Sequence, residues 1–220
     1  TDCNPEVIEI DDAFRETCHQ LLKHQRDFEV FSEKLLCEAS VNQGRIELAG
    51  QSFAFLVLPE VRMLSYATML QIESFAASGG HVIFTGELPS MSSEMGEDAT
   101  VRSRAEALLS DYADRVRFVE EEGDFERVVD WMAERVPPVV RWEGPSAVRI
   151  AHQHEPNREI IMIANPGEAS VRGNLLCGFA GTVSIWNPDT GEISEIGPKD
   201  QTEPIVVDVP ADAARFVVFE

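Results

Sequence analysis

Glu60 and Glu87 each stand just past an apolar run, Phe53-Ala54-Phe55-Leu56-Val57-Leu58-Pro59 in one case and His81-Val82-Ile83-Phe84-Thr85-Gly86 in the other. Two carboxyl groups that converge can divide general acid and base work between them, so they are candidates for ligand contact or chemistry. If they stay apart they are solvated loop acids, which is the simpler expectation. His152-Gln153-His154 sets two imidazoles on one face of a strand and seeds a metal site if a carboxylate or a third His joins them. The adjacent Glu155 should point elsewhere, so an exposed strand face is expected and no metal centre. Trp131, Trp142 and Trp186 have ring faces that can stack on sugars. Trp131 falls on the inner side of an amphipathic helix and should pack in a core. Trp142, beside a Pro-Pro linker, and Trp186, at a strand end, are candidates for carbohydrate contact or for packing between domains.

Other kinds of chemistry lack their residues. Neither strand-end loop carries a Ser or Cys on a sharp turn with clearing glycines, so a nucleophile elbow is absent. Gly79-Gly80 follows a helix instead of preceding one, so no phosphate cradle, flavin or nucleotide cofactor is expected. No catalytic residue is assigned. Cys3, Cys18, Cys37 and Cys177 form no CxxC pair, and leucines stand near the last three, which suits buried free thiols. His19, His24 and His81 are isolated and read as structural or surface residues. Glu120-Glu121-Glu122 opens an acidic, solvated turn ending at Gly123.

The elements that would hold these residues alternate at first. Asp11 and Asp12 can cap a helix with Phe14, Cys18, Leu21 and Leu22 on its apolar face. An extended piece over 28–31, a small helix opened by Ser32 and Glu33, and a hairpin arm over 45–48 between Gly44 and Gly50 come next. The continuous run over 53–58, stopped by Pro59, suits a strand buried on both faces of a parallel sheet. Ser65 can cap a helix with Met69, Ile72 and Phe75 inward, which Gly79-Gly80 ends where a left-handed cap is wanted. A strand over 81–85 completes a βαβ unit, whose crossover should be right-handed. A third helix around Ala105–Tyr112, a strand over 116–119 and a helix carrying Phe125 to Met132 bring the pattern to Pro137-Pro138. Beyond it seven short strands with period two, separated by turns such as Asn165-Pro166-Gly167 and Asp189-Thr190-Gly191, read as an antiparallel β-sandwich. The fold expected is α/β over residues 1–137, followed by a β-sandwich domain over 138–220.

The 220 residues carry 18 basic and 39 acidic side chains, a formal charge of −21 with 44% hydrophobic residues. Such a chain has enough apolar content for buried cores, and its acidity disfavours nucleic acid and anionic membrane surfaces as partners. No apolar run approaches the ~18–20 residues that span a bilayer. The chain opens with Thr1 and has no secretory leader pattern, so a piece of a longer protein is expected. The compartment has no signature in the sequence.

From Phe28 to Pro89, the strand ending Leu56-Val57-Leu58-Pro59, the helix, and Ala77-Ser78-Gly79-Gly80-His81-Val82-Ile83-Phe84 resemble the amidotransferase-like, flavodoxin-like domain of large glycoside hydrolases. The stretch is similar to the trimerisation domain of some β-galactosidases, and closer to the matching region of α-L-rhamnosidase-like enzymes of family 106. Ile161-Met162-Ile163-Ala164-Asn165-Pro166-Gly167, followed by Val183-Ser184-Ile185-Trp186-Asn187-Pro188-Asp189-Thr190-Gly191, resembles their following β-sandwich, where a Trp-Asx-Pro-x-Thr-Gly turn recurs. The resemblance implies an accessory region of a glycoside hydrolase whose catalytic acids lie on a preceding barrel, so no catalytic residue carries over. Its partners would be the catalytic domain of the same parent chain, with carbohydrate and oligomer contacts also open. Such domains begin with an apolar parallel strand, and here only Val7–Ile10 can serve. Two other readings are a carbohydrate-binding module using Trp142 or Trp186 and a small hydrolase using Glu60 and Glu87.

Overall fold

The computed structural model describes residues 5–120, 125–145 and 148–220, with side chains from residue 9 onward. Cys3 and residues 121–123 of the acidic turn lie outside the described residues. The chain divides into two compact units, Thr1–Cys18 with Glu29–Val136, and His19–Phe28 with Pro137–Glu220. The short segment His19–Phe28 thus groups with the later residues.

The first element, α1 (Pro5–Lys23), overturns two expectations. Val7–Ile10 is helical, not a strand, and Asp11 and Asp12 sit inside the helix instead of capping it. Pro5 supplies the reason, since its fixed φ suits a first helical turn and its missing N–H costs nothing there. No strand forms over 28–31, and the chain runs on to α2 (Glu33–Glu38), where the Ser32 hydroxyl accepts the Leu35 N–H at 3.4 Å as the capping signal requires.

β1 (Ser40–Asn42), β2 (Arg45–Leu48) and β3 (Gln51–Phe53) make an antiparallel meander. The run expected as one strand is broken at Ala54: its first residue, Phe53, finishes the meander, and β4 (Phe55–Pro59) begins the parallel sheet. A two-residue strand, β5 (Met63–Leu64), leads into α3 (Tyr66–Ala77), which is capped by the Ser65 hydroxyl accepting the Thr68 N–H. α3 ends in paired bonds from Gly80 N–H to the Phe75 carbonyl and from Gly79 N–H to the Ala76 carbonyl, with Gly79 at φ 107°. That closure satisfies two carbonyls the helix would leave orphaned and needs a left-handed residue, hence the glycine. β6 (His81–Thr85) pairs parallel with β4. β7 (Met91–Ser92) pairs parallel with β5, and α4 (Asp98–Asp111), β8 (Val116–Val119) and α5 (Phe125–Arg135) follow. β8 pairs parallel with β6, so the sheet order is β4-β6-β8 with β6 central. Val82, Ile83 and Phe84 of β6 are all fully buried, the mark of a strand covered on both faces. Met69, Ile72 and Phe75 of α3 and Leu108 of α4 are likewise buried.

The second unit is two antiparallel sheets. One has the order β10-β11-β16-β13-β14, from β10 (Arg149–Glu155), β11 (Arg158–Asn165), β13 (Gly181–Trp186), β14 (Ile193–Lys199) and β16 (Ala213–Phe219). The other is β15-β12-β9, from β9 (Val140–Glu143), β12 (Val171–Cys177) and β15 (Ile205–Val209). Alternating residues of both sheets, among them Val140, Trp142, Ile161, Ile163, Leu175, Val183, Val207 and Val217, form one buried core. All seven expected strands are present, and β9 is an eighth without a signal of its own in the sequence, because its four residues begin one residue after Pro137-Pro138 and lie beside the linker. The outer edge of β9 is closed by Gln25, whose amide donates to the Trp142 carbonyl at 3.2 Å and accepts the Trp142 N–H at 2.7 Å.

Candidate functional site

The carboxyl ends of β4 and β6 bring Glu60 and Glu87 to one arginine. Glu60 leaves β4 in the left-handed region at φ 49°, and its N–H donates to the Thr85 carbonyl of the neighbouring strand at 2.9 Å. Its carboxylate accepts two bonds from Arg62 through one oxygen, from Nε at 3.0 Å and from Nη2 at 2.7 Å. The other oxygen lies against Gly86, where a Cβ would fall 1.6 Å away. Gly86 is therefore the clearance that admits the Glu60 carboxylate. Glu87 reaches Arg62 Nε at 3.4 Å, and Glu9 of α1 reaches Nη2 at 3.5 Å.

Glu60 is 9% exposed, so the expectation of a solvated loop acid fails for it, while Glu87 remains open to solvent with its side chain 59% exposed. Arg62 supplies the buried carboxylate's missing charge, as a carboxylate removed from water requires. The hydrogen bond to Glu60 in turn holds the guanidinium above its ordinary range. The two acids thus meet through a cation that fills the space between them. A paired acid and base need that space for a substrate atom or a water. Arg62 went unnoticed in the sequence, although an arginine two residues after a strand-end acid was the available signal.

At the opposite, amino end of the sheet, Phe55 stacks on His81 with ring centroids 4.9 Å apart, and Trp131 of α5 meets both rings edge-on. Trp131 is buried as expected, and Arg135 and Arg117 lie 4.4 Å and 5.1 Å from its ring. His81 is thus not isolated: burial, aided by Arg135 and Arg115, pushes its imidazole below the usual 6.5 despite a hydrogen bond with the Ala54 backbone.

In the second unit Trp142 is buried, its indole N–H donates to the Pro145 carbonyl, and Gly144 and Gly173 leave room for its ring. Trp186 is half-buried and donates to the Ser184 hydroxyl at 2.8 Å. The Trp186–Gly191 motif is the β13–β14 turn. Asn187 accepts the Asp189 N–H through its side chain and the Gly191 N–H through its carbonyl, and Gly191 takes φ 74°. Asn165 is likewise structural: fully buried, it donates to the Ala169, Val209 and Pro210 carbonyls and accepts the Gly167 N–H. The expectation of buried thiols holds for Cys177, whereas Cys18 is half-buried and Cys37 is exposed.

His152 and His154 do gain a carboxylate, and it is Glu159 across the strand pair, not Glu155. Glu159 contacts His152 Nε2 at 2.8 Å and His154 Nδ1 at 2.7 Å, while Glu155 pairs with Arg158 at 2.6 Å. The register places Glu159 directly opposite His154, a relation invisible along the chain.

Neither a protein-family model nor a curated protein matches the chain. Solved structures do. A rhamnosidase from Novosphingobium sp. PP1Y matches 84% of this chain with a TM-score of 0.62 at 18% identity, over 19% of its own length. A β-galactosidase from Bacillus circulans sp. alkalophilus matches 100% of the chain with a TM-score of 0.65 at 10% identity, over 39% of its length. A catalytic mutant of a GH42 β-galactosidase from G. stearothermophilus matches 100% with a TM-score of 0.62 at 11% identity, over 37% of its length. The chain thus spans between about a fifth and two fifths of these enzymes and shares the fold of that portion.

Proposed function

We propose that this chain is an accessory segment of a glycoside hydrolase, most like the α-L-rhamnosidases of family 106, with no catalytic residue of its own. The first unit is then an amidotransferase-like, flavodoxin-like domain, and both units buttress the catalytic domain of the same parent chain. The observation that carries the reading is a likeness long enough to reach into both units: one rhamnosidase matches 84% of the chain while lending only 19% of its own length. The strand-end geometry supports a supporting role, because Arg62 stands between Glu60 and Glu87 where a hydrolase needs a substrate. Fold by itself does not fix chemistry, and the arginine between the two acids bears on chemistry directly.

The test is an assay of the 220-residue chain on nitrophenyl α-L-rhamnoside and β-D-galactoside. No release of nitrophenol is expected; turnover that disappears in Glu60→Gln would overturn the reading. Calorimetric titration with rhamnose-containing oligosaccharides is expected to give no heat. Heat that is lost in Trp186→Ala would turn the assignment to a carbohydrate-binding module.

A further inference from the structure

The chain carries 39 acidic side chains against 18 basic ones. Even so, one cavity of about 320 Å³ gathers three basic side chains, and no acidic one is among its described lining residues. His19 and Lys23 enter it from the end of α1, and Arg149 enters from the start of β10. Residues four apart on a helix share a face, so His19 and Lys23 come to the cavity together. Leu22, Val148 and Pro166 give it apolar wall, and all of these residues belong to the second unit. We propose that this cavity binds a small organic oxyanion, a carboxylate or phosphate group carried on a compact body.

A basic residue at the end of a helix can be there for the helix itself, as a partner for its last carbonyls. Here the backbone closes that end unaided. Gln25 takes φ 57°, the Arg26 N–H donates to the Leu21 carbonyl at 2.8 Å, and the Gln25 N–H donates to the Leu22 carbonyl at 3.1 Å. The Gln20 carbonyl accepts the His24 N–H at 3.1 Å. His19 and Lys23 are thus not needed as caps, and Arg149 stands on a strand that no helix-end argument reaches. Among the described residues neither His19 nor Arg149 has an ion pair or a side-chain hydrogen bond. Arg141, Arg158 and Arg172 of the same unit are each held by a carboxylate.

The walls are fixed by bonds that leave the three basic groups unused. Two hydrogen bonds between the Gln25 side chain and the Trp142 backbone fasten the chain just after α1 to β9. Asn165 holds the Pro166-Gly167 turn through bonds to the Ala169, Val209 and Pro210 carbonyls, and Val148 is buried in the sandwich core. A preformed cavity costs its ligand little ordering, and this one lies at the small end of ligand sites, with room for a body the size of a sugar ring. A guanidinium presents paired donors that match two oxygens of a carboxylate or phosphate. Lys23 adds a charge on a flexible stem and His19 a ring nitrogen. The rest of so acidic a chain repels anions, so retention at one place is the signature of the site.

Titration of the 220-residue chain with sodium glucuronate, glucose 6-phosphate and glucose, followed by amide NMR, tests the proposal and separates the two kinds of oxyanion. At least one charged sugar should bind saturably, with shifts centred on residues 19–23, 148–149 and 167, and whichever binds identifies the anionic group. Glucose at the same concentrations should leave the spectrum unchanged. Arg149→Gln, at an exposed position, should weaken binding by about tenfold or more, the scale of a lost hydrogen bond to a charged group. His19→Gln should weaken it several-fold, while Arg172→Gln, whose side chain pairs with Asp208, should leave it unchanged. Absence of saturable binding by either charged sugar, equal binding of glucose, or an affinity unchanged in Arg149→Gln would each overturn the proposal. None of these outcomes bears on the accessory role, which turnover tests.

Discussion

The parallel unit and the sandwich put their polar clusters in different places, and the sheets dictate where. In the first unit β6 is buried on both faces, so a charged side chain has nowhere to stand along the strand. The charged groups collect past its end, where Glu60, Arg62 and Glu87 meet. In the sandwich each strand has one wet face, and polar residues enter the inner row only where the core runs out, as His152, His154 and Glu159 do. A parallel sheet thus gathers chemistry from residues close to strand ends, whereas an antiparallel pair builds it across register. The first kind joins distant stretches of the chain, as Glu9, Glu60 and Glu87 on Arg62 show, whereas the second is close in sequence but set by register, as in 152–159.

The sharpest way to break this contrast is to cut into consecutive residues. Ile83→Ala and Phe84→Ala, neighbours on β6, should each cost about 3 kcal/mol or more, because both faces are core. On β15, Val207→Ala should cost about 2 kcal/mol, since Val207 is buried, while its exposed neighbour Val206→Ala should stay within about 0.5 kcal/mol. Urea unfolding checks all four, and equal losses at 206 and 207 would erase the distinction.

Gly86→Ala should follow, at about 2–3 kcal/mol, since its methyl collides with the Glu60 carboxylate and its φ of 75° disfavours a side chain. Combining it with Glu60→Ala should restore most of the loss; a strictly additive double mutant would show that the clearance argument is mistaken. Ser65→Ala removes a helix cap and should cost about 1 kcal/mol. The carboxylate of Glu33 also accepts from the Ser65 N–H and the Thr68 hydroxyl, each at 2.6 Å.

The smallest effect expected is on pH. Because burial lowers the folded-state value of His81 below 6.5, the unfolded chain takes up a proton first on acidification. Stability linked to His81 is present above pH 6.5 and falls as pH drops below it toward the folded value. Thermal unfolding of wild type and His81→Phe at neutral and mildly acid pH checks this, and an unchanged slope in the variant would exclude His81 as the source.

What the sequence alone determined is what a few residues decide among themselves. The caps Ser32 and Ser65, the Gly79-Gly80 helix end, the buried run of β6 and seven of the eight sandwich strands were legible, because each rests on backbone sterics, a bond spanning three to five residues, or a period of two. Where local signals compete, the sequence misled: Asp11 and Asp12 signal a helix start just as well inside a helix already begun at Pro5, and the apolar run over 53–58 conceals the break at Ala54. Tertiary structure decided the rest. Glu60 and Glu87 were legible as strand-end acids, but that Arg62 and Glu9 close on them and that Gln25 seals β9 depend on long-range contacts, and that Glu159 meets His152 and His154 depends on strand register. A strand shifted by one residue would turn Glu159 to the opposite face, so no local pattern can announce that contact.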